Sequence, residues 1–299
     1  MKFSLDDFSI ADERFRNEIC KKEKIKVNKR IHMPKISICI LSIITIGCLF
    51  SKFISLDNPF HIYLDSVNIA PNSKFLFGTD TLGRDIFSMI WYGGKISLFI
   101  GILATFISTV IGIIYGSICG LANEYLDDLM MRIAEIMLSI PSILTIMFIQ
   151  GILGTNNSIS IAIVIGVTSW MSIAKMVRTE VRQIKDSEYI VAAKTMGGGF
   201  FYILRVHLLP NFIPSIMFMV ITSIATAIGT ESTLSFLGIG LSADIVSWGT
   251  MLSLADSALL TNSWWMIVIP GIFLVATLLS ITNIGNYIRK LNNKKENNL

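Results

Sequence analysis

Long apolar runs separated by short polar segments dominate the chain. The runs are about twenty residues long, the length of a helix that crosses the hydrocarbon core, and they lack the alternation of a membrane strand. Only helices and closed barrels satisfy every backbone polar group in lipid, so the runs predict an all-α membrane protein. The six predicted transmembrane helices cover approximately residues 36–56, 96–122, 130–153, 159–177, 212–234 and 264–288.

Composition excludes an ordinary soluble domain. Of the 299 residues, 53% are hydrophobic and only 15% are charged, whereas a soluble domain carries about 25% charged residues. The cysteines and histidines show neither metal-ligand spacing nor a C-x-x-C pair, so they predict no metal site and no disulfide. These residues are Cys20, Cys39, Cys48, Cys119, His32, His61 and His207.

The distribution of positive charge predicts the orientation. With a cytoplasmic N-terminus, 21 of the 25 Lys and Arg residues lie on the inner side of the membrane and 4 lie outside. This excess is the positive-inside pattern, so both termini are predicted to be cytoplasmic. The basic stretch "KKEKIKVNKR" at 21–30 directly precedes an apolar span. That position favours attraction to anionic membrane lipid over binding of nucleic acid.

A stripe of small residues marks the second span. Glycine recurs every four residues there, at Gly112, Gly116 and Gly120. Such a stripe lets helix backbones approach closely in lipid, so it predicts a helix-packing face. Packing within this chain and packing against a partner both remain open.

Four residues inside the spans are candidates for a pathway or a gate: Ser139, Pro141, Glu231 and Ser232. Pro141 predicts a kink in the third span, either in a scaffold helix or beside a pathway that Ser139 and Ser142 face. Glu231 is an acid near membrane depth, where carboxylates usually face a cavity or a partner. A hydrated position at the outer edge, or a helix cap, is the open alternative.

The segment before the second span, "FGTDTLGRDIFSMIWYGG" at 77–94, carries apolar residues at helical spacing. Thr79, Asp80 or Thr81 is a predicted N-cap, and the helix is predicted to begin near Leu82 and to lie on the membrane surface.

The longest inner loop contains "EYIVAAKTMGGGFFYILRVHLLPN" at 188–211. Helical spacing places Ile184, Ser187, Val191 and Ala192 on one face. Gly197–Gly199 predicts a sharp turn, followed by a second short helix at 200–208 that ends before Pro210.

Two short helices joined by glycine form either a docking element for a cytoplasmic partner or an amphipathic loop on the bilayer. The small side chains of Ala192 and Ala193 would let a partner surface come close. We predict no catalytic residue and no nucleotide site, since "WYGGKIS" at 91–97 lacks the first glycine and the hydroxyl residue of a phosphate loop. An ion-coupled secondary transporter and a membrane scaffold subunit remain alternative functions.

The 188–211 segment resembles the cytoplasmic "EAA" loop of permease subunits in ABC importers. Ala192, Ala193, Gly197 and Pro210 match that pattern, while Val191 stands in place of its glutamate and Glu188 lies three residues earlier. "FGTDTLGRDIFS", "MLSIPSILTIMF" and "TESTLSFLGIGL…SWGTML" resemble the second permease of the dipeptide, oligopeptide and nickel branch. Four motifs in the right order on six spans make this resemblance specific.

The resemblance implies a type I importer permease fold and a multi-pass protein of the cytoplasmic membrane. It implies a subunit that is not an enzyme, binds no cofactor itself and depends on ATP and Mg²⁺ held by partners. The implied partners are a second homologous permease, two ABC ATPase subunits, an extracytoplasmic solute-binding protein and membrane lipid. Peptide is the implied solute; nickel, a metal chelate and a glutathione-like solute are alternatives.

The resemblance also divides the chain. It implies a cytoplasmic arm at 1–35, a first span with an extracytoplasmic segment at 36–94, a permease core at 95–288 and a cytoplasmic tail at 289–299. The residues implied for coupling to the ATPase are Glu188, Ala192, Ala193, Gly197, Arg205 and Pro210.

Overall fold

A computed structural model describes residues 33–55, 58–242 and 244–296. The basic stretch at 21–30, Cys20, His32 and nearly all of the predicted arm lie outside the described residues. The helices are α1 (Lys35–Leu49), α2 (Ser51–Ile54), α3 (Ile86–Leu121), α4 (Glu124–Ser139), α5 (Ser142–Leu153), α6 (Ser158–Thr168), α7 (Met171–Ile184), α8 (Glu188–Thr195), α9 (Phe200–Ile203), α10 (Leu209–Phe236), α11 (Trp248–Leu252), α12 (Ala255–Leu260) and α13 (Trp265–Glu296).

The described part of the chain is helical apart from its connections, which confirms the predicted class. Three helical segments are long and apolar enough to cross a membrane: Ile86–Leu121, Phe200–Phe236 and Trp265–Asn292. Two bent helix pairs raise this number to five if each pair forms one span. Helix α1 is apolar but has only 15 residues. The number of six spans therefore stays a prediction.

The second span begins earlier than predicted, at Ile86 rather than near residue 96. The predicted helix start at Leu82 is wrong, because Leu82 lies in the preceding turn and the later apolar residues of this segment, from Ile86 onward, belong to α3 itself. Asp85 is the N-cap, and its carboxylate accepts hydrogen bonds from the backbone N–H of Ser88 at 2.9 Å and from the Ser88 hydroxyl at 2.6 Å. Asp80 instead closes the preceding turn by accepting from the backbone N–H of Leu82 at 2.9 Å.

The third predicted span is two helices rather than one kinked helix. Helices α4 and α5 meet at an angle of 87°. Ile140 is extended, with ψ of 130°, because the proline ring that follows it disfavours a helical conformation. Pro141 then serves as the N-cap residue of α5.

The fourth predicted span is also divided. Helices α6 and α7 meet at 43°, and α7 continues to Ile184 instead of ending near Val177. Its buried residues include Ile173, Val177 and Val181, which recur at helical spacing. The second half of this span is therefore an amphipathic helix that lies against the rest of the chain along one face.

Pro210 does not end a helix, contrary to the sequence prediction. Helix α9, a π-helix at Leu204–Leu208 and α10 follow one another without interruption. Proline cannot donate a backbone hydrogen bond, but the first turn of a helix does not require that donor. The π-helix widens the turn just before Pro210, so the chain continues into α10.

The glycine stripe of α3 faces α7 of the same chain. A Cβ on Gly112 would lie 2.8 Å from Cγ2 of Ile173, and one on Gly120 would lie 2.7 Å from Cβ of Val181. A Cβ on Gly116 would overlap the carbonyl oxygen of Ala174. Of the two open possibilities, the structure therefore shows packing within the chain. Helix α3 also packs against α6 and α10, which places it at the centre of the fold.

Candidate functional site

The loop after α7 contains the predicted helix and the predicted glycine turn. Helix α8 ends with a backbone hydrogen bond from Gly198 N–H to the Ala193 carbonyl, at 2.9 Å. Gly197 has φ of +85°, a conformation that side-chain-bearing residues rarely adopt. The turn thus reverses the chain between α8 and α9.

The buried face of this loop differs from the predicted one. Ile190 is fully buried and Ala193 is 8% exposed, whereas Val191 is 46% exposed. The prediction extended one helical phase from Ile184 onward, but the chain leaves helical geometry before α8 begins. Helical spacing therefore restarts at Glu188. Ala193 contributes to the apolar core of this chain.

An apolar surface that the sequence did not predict lies on the outside of this loop. We call Val191, Met196, Phe201 and Tyr202 the loop patch; their exposed fractions are 46%, 86%, 74% and 54%. Four exposed apolar or aromatic side chains on one short segment between two helices are typical of an interaction surface. Of the predicted coupling residues, Glu188, Arg205, Gly197 and Pro210 are exposed and Ala192 is half-buried.

A cavity of about 530 Å³ lies where both helix breaks meet α3 and α10. Its size is within the range of small-molecule sites, about 300–1,000 Å³. Hydroxyl groups are its most frequent polar feature, and none of its lining residues is charged. The hydroxyl residues that line it are Thr105, Ser108, Ser142, Thr145, Thr168, Ser169, Ser172, Thr222, Ser223 and Thr226.

Some of the residues that were predicted to lie beside a pathway line this cavity. Pro141 and Ser142 line it. The Ser139 hydroxyl is exposed and donates to the Ile136 carbonyl at 2.7 Å, so it does not line the cavity. The cavity residues Thr222 and Thr226 were missed, although their four-residue spacing in "TSIATAIGTEST" would have indicated a polar face on one helix.

Glu231 lies outside the cavity and is fully buried. Its carboxylate accepts hydrogen bonds from four serine hydroxyls. The distances are 2.8 Å from Ser247, 2.9 Å from Ser235, 3.3 Å from Ser97 and 3.4 Å from Ser232. Glu231 is thus neither hydrated nor a helix cap, and the predicted gating pair Glu231 and Ser232 belongs to a closed polar cluster.

Backbone groups orient the hydroxyls of this cluster. Ser97 accepts from Trp248 N–H at 3.2 Å, Ser235 from Leu241 N–H at 3.2 Å, and Ser247 from Thr250 N–H at 3.1 Å. Each of these hydroxyls can donate its own hydrogen to the carboxylate while its oxygen accepts an amide hydrogen. The cluster therefore fastens the 241–250 segment to α3 and α10.

Comparison with known protein families shows which family this chain matches. Residues 112–295 match the family described as "Binding-protein-dependent transport system inner membrane component". The chain belongs to this family. The matched region begins at the glycine stripe and includes the helix breaks, the loop patch and Glu231.

Individual relatives extend the match toward the N-terminus. The chain is 35% identical over 263 residues to the dipeptide transport system permease protein DppC of Bacillus subtilis, which covers 88% of this chain and 81% of that protein. It is 35% identical over 257 residues to the oligopeptide transport system permease protein OppC of the same organism, covering 86% and 84%. It is 36% identical over 213 residues to OppC of Haemophilus influenzae, covering 71% and 68%.

A solved structure shares the fold. The inward-facing MetNI methionine ABC transporter matches with a TM-score of 0.54 and 22% identity, covering 68% of this chain and 96% of that chain. This likeness confirms the predicted permease fold. Together with the family and the apolar helices, it identifies a multi-pass component of the cytoplasmic membrane.

Proposed function

We propose that this chain is one of two permease subunits of an ATP-driven importer of peptides. In this proposal two ABC ATPases assemble on the cytoplasmic side, one of them binds the loop of this chain, and an extracytoplasmic binding protein delivers the solute. ATP binding and hydrolysis by these partners shift the permease between inward- and outward-open states. The chain itself performs no bond chemistry.

The cavity supports a peptide solute. Its hydroxyl groups can donate to and accept from peptide amides and carbonyls, and neutral walls accept peptides whatever the charge of their side chains. The relatives named for dipeptide and oligopeptide transport support the same solute class. Selection among peptides would then belong largely to the binding protein.

The loop patch is the observation that carries the proposed coupling to an ATPase. It exposes Met196 and Phe201 at 86% and 74%, next to the rigid turn at Gly197. Apolar and aromatic side chains at the centre of an interface supply most of its binding energy. A groove on a soluble partner would cover these side chains, and a helix such as α8 fits that mode of recognition.

Phe201→Glu is expected to release the ATPase bound at this loop while the chain remains folded. The side chain is 74% exposed, so the substitution removes little packing within the chain. Loss of a central aromatic anchor costs at least about 2 kcal/mol, more than tenfold in affinity. The measurement is copurification of the tagged chain from its native membranes, with the partners identified by mass spectrometry.

Tyr125→Glu is the matched control, since Tyr125 is an aromatic residue that is 91% exposed on α4, outside the loop. This variant should retain the ATPases. If no ATPase copurifies with the wild-type chain, that result would contradict the proposal. Ion-driven uptake by the purified chain alone would favour a secondary transporter instead, and retention of nickel by the assembly would indicate a metal-chelate solute.

A further inference from the structure

An ion-pair cluster around a buried carboxylate joins α4 to α7. The carboxylate of Asp127 accepts from Arg178 Nε at 2.5 Å and from Arg178 Nη2 at 2.6 Å. Arg182 Nη1 lies 3.1 Å from the same carboxylate. The Asp127 side chain is only 3% exposed, and those of Arg178 and Arg182 are 22% and 40% exposed. We call these three residues the Asp127 clasp.

The clasp is different in kind from a surface ion pair. The two parallel N–H···O bonds of Arg178 fix both distance and orientation, which a single contact does not do. The neighbouring pair of Glu135 and Lys175 joins the same two helices at 3.4 Å, with both side chains exposed. Exposed pairs of that kind contribute little, so the clasp is the charged contact that holds α4 to α7 in a defined register.

On one side, the clasp is connected to the loop that carries the loop patch. Val177 and Val181 of α7 share one apolar cluster with Ile190 of α8 and Ile203 of α9, and all four are nearly fully buried. Protein interiors are close-packed and deform little, so a displacement of α8 moves α7 with it. The guanidinium groups of Arg178 and Arg182 lie on that same helix.

On the other side, the clasp is connected to the cavity. Asp127 lies in the first turn of α4, and α4 ends at Ser139. Ile140 follows Asp127 by 13 positions, which corresponds to about 20 Å along a helix. At Ile140 and Pro141 the chain turns by 87°, and both residues line the cavity. Helix α4 is thus a rigid rod between the clasp and the bend in the cavity wall.

We propose that Asp127 is a positioning residue that transmits movement of α8 to the cavity wall. When a partner displaces α8, α7 moves with it, the clasp pulls α4, and the bend at Ile140–Pro141 changes its angle. This inference rests on the proposed function, because it requires a partner at the loop patch. It adds a second connection to the cavity, separate from the continuous helix that leads from α9 into α10.

The test measures ATP-dependent exposure of the cavity in the whole assembly. Ser223, on the cavity wall, is replaced by cysteine, and the native Cys20 and Cys39 are replaced by serine to remove background. The assembly is purified with its ATPases, and a maleimide probe is applied with and without ATP plus vanadate. In the parent we expect ATP to change the labelling rate about tenfold, a typical coupling between two sites.

Asp127→Asn is expected to reduce that change to less than about twofold, while the ATPases still copurify and hydrolyse ATP. The double variant Asp127→Arg with Arg178→Asp should restore part of the response, because the reversed pair again places opposite charges in contact, while Arg182 then faces a like charge at position 127. Lys175→Gln, which breaks the exposed pair between the same helices, should leave the response at the parental value.

Three outcomes would overturn the inference: a parental response in Asp127→Asn, an equal loss in Lys175→Gln, or no recovery in the reversed pair. If Asp127→Asn does not assemble, Arg182→Gln replaces it, since that change removes only the more exposed donor. Arg182→Gln should then give an intermediate response, and an unchanged one would contradict the inference. A parent without ATPases or ATP response would instead refute the proposed function itself.

Discussion

Gly116→Leu is expected to prevent α3 and α7 from packing and to abolish the folded permease. Any side chain at this position forces the neighbouring helix to shift, because a Cβ on Gly116 would overlap the Ala174 carbonyl oxygen and lie 2.8 Å from Cβ of Val177. The oxygen belongs to the backbone of a buried helix, so it cannot rotate away as a flexible side chain would. Relief requires the two helices to separate along the whole glycine stripe.

Gly116→Ala is expected to have a smaller effect on folding than Gly116→Leu. Overpacking of a tight interior costs about 1–3 kcal/mol, so the alanine variant should fold but unfold at a lower temperature. The measurement is thermal unfolding in detergent, together with the yield of monodisperse protein. Gly116→Leu should give almost no monodisperse protein.

Gly271→Leu is the matched control. Gly271 lies in the long apolar helix α13, and nothing lies within 4 Å of a Cβ built there. This control adds the same side chain to a glycine of a long apolar helix, and its yield should remain close to that of the wild type. Equal losses at both positions would show that the helices need glycine for a reason other than close packing.

Glu231→Ala is expected to lower the free energy of unfolding by several kcal/mol. It removes the acceptor shared by the hydroxyls of Ser97, Ser235 and Ser247, all of them buried. Each buried hydroxyl left without an acceptor costs about 1–3 kcal/mol. Deleting the carboxylate also leaves a void among groups that are closely packed.

The position of the cluster also predicts which segment of the Glu231→Ala variant is destabilised first. The cluster fastens the 241–250 segment to α3 and α10, so its loss should free that segment first. We expect faster limited proteolysis between Leu241 and Ser247 and a lower unfolding temperature. Glu231→Gln keeps the shape and one acceptor oxygen, so its loss should fall between those of the wild type and the alanine variant.

Thr233→Val is the control for the cluster. Thr233 lies on the same helix, is exposed, and donates only to the Gly229 carbonyl of its own helix, at 2.8 Å. Valine has nearly the same volume, so we expect little change in unfolding. A Glu231→Ala protein as stable and protease-resistant as Thr233→Val would show that the serine hydroxyls find other acceptors.

Local signals predicted much of the fold. The apolar runs indicated a helical membrane protein, Gly197 indicated the turn after α8, and the glycine stripe indicated a close helix contact. Each of these features depends on residues close together in sequence, through hydrophobic length, backbone freedom or the absence of a side chain. The motifs in their order also indicated the family.

Helix boundaries and buried faces were predicted less well, because they depend on contacts that sequence spacing does not contain. Asp85 rather than an earlier residue caps α3, since the Asp80 carboxylate is used within the preceding turn. Ile190 rather than Val191 is buried, since the helical phase restarts after α7. Pro210 does not end its helix, since a π-helix precedes it.

The sequence by itself determined a helical membrane protein of the permease family, because hydrophobic length, charge distribution and short motifs are properties of neighbouring residues. Only the tertiary structure decided which side chains meet. Glu231 accepts a hydrogen bond from Ser97, which is 134 positions away in the sequence, and Asp127 accepts one from Arg178, which is 51 positions away. Such pairs form because a buried polar or charged group is stable only when the fold brings partners to it from distant segments.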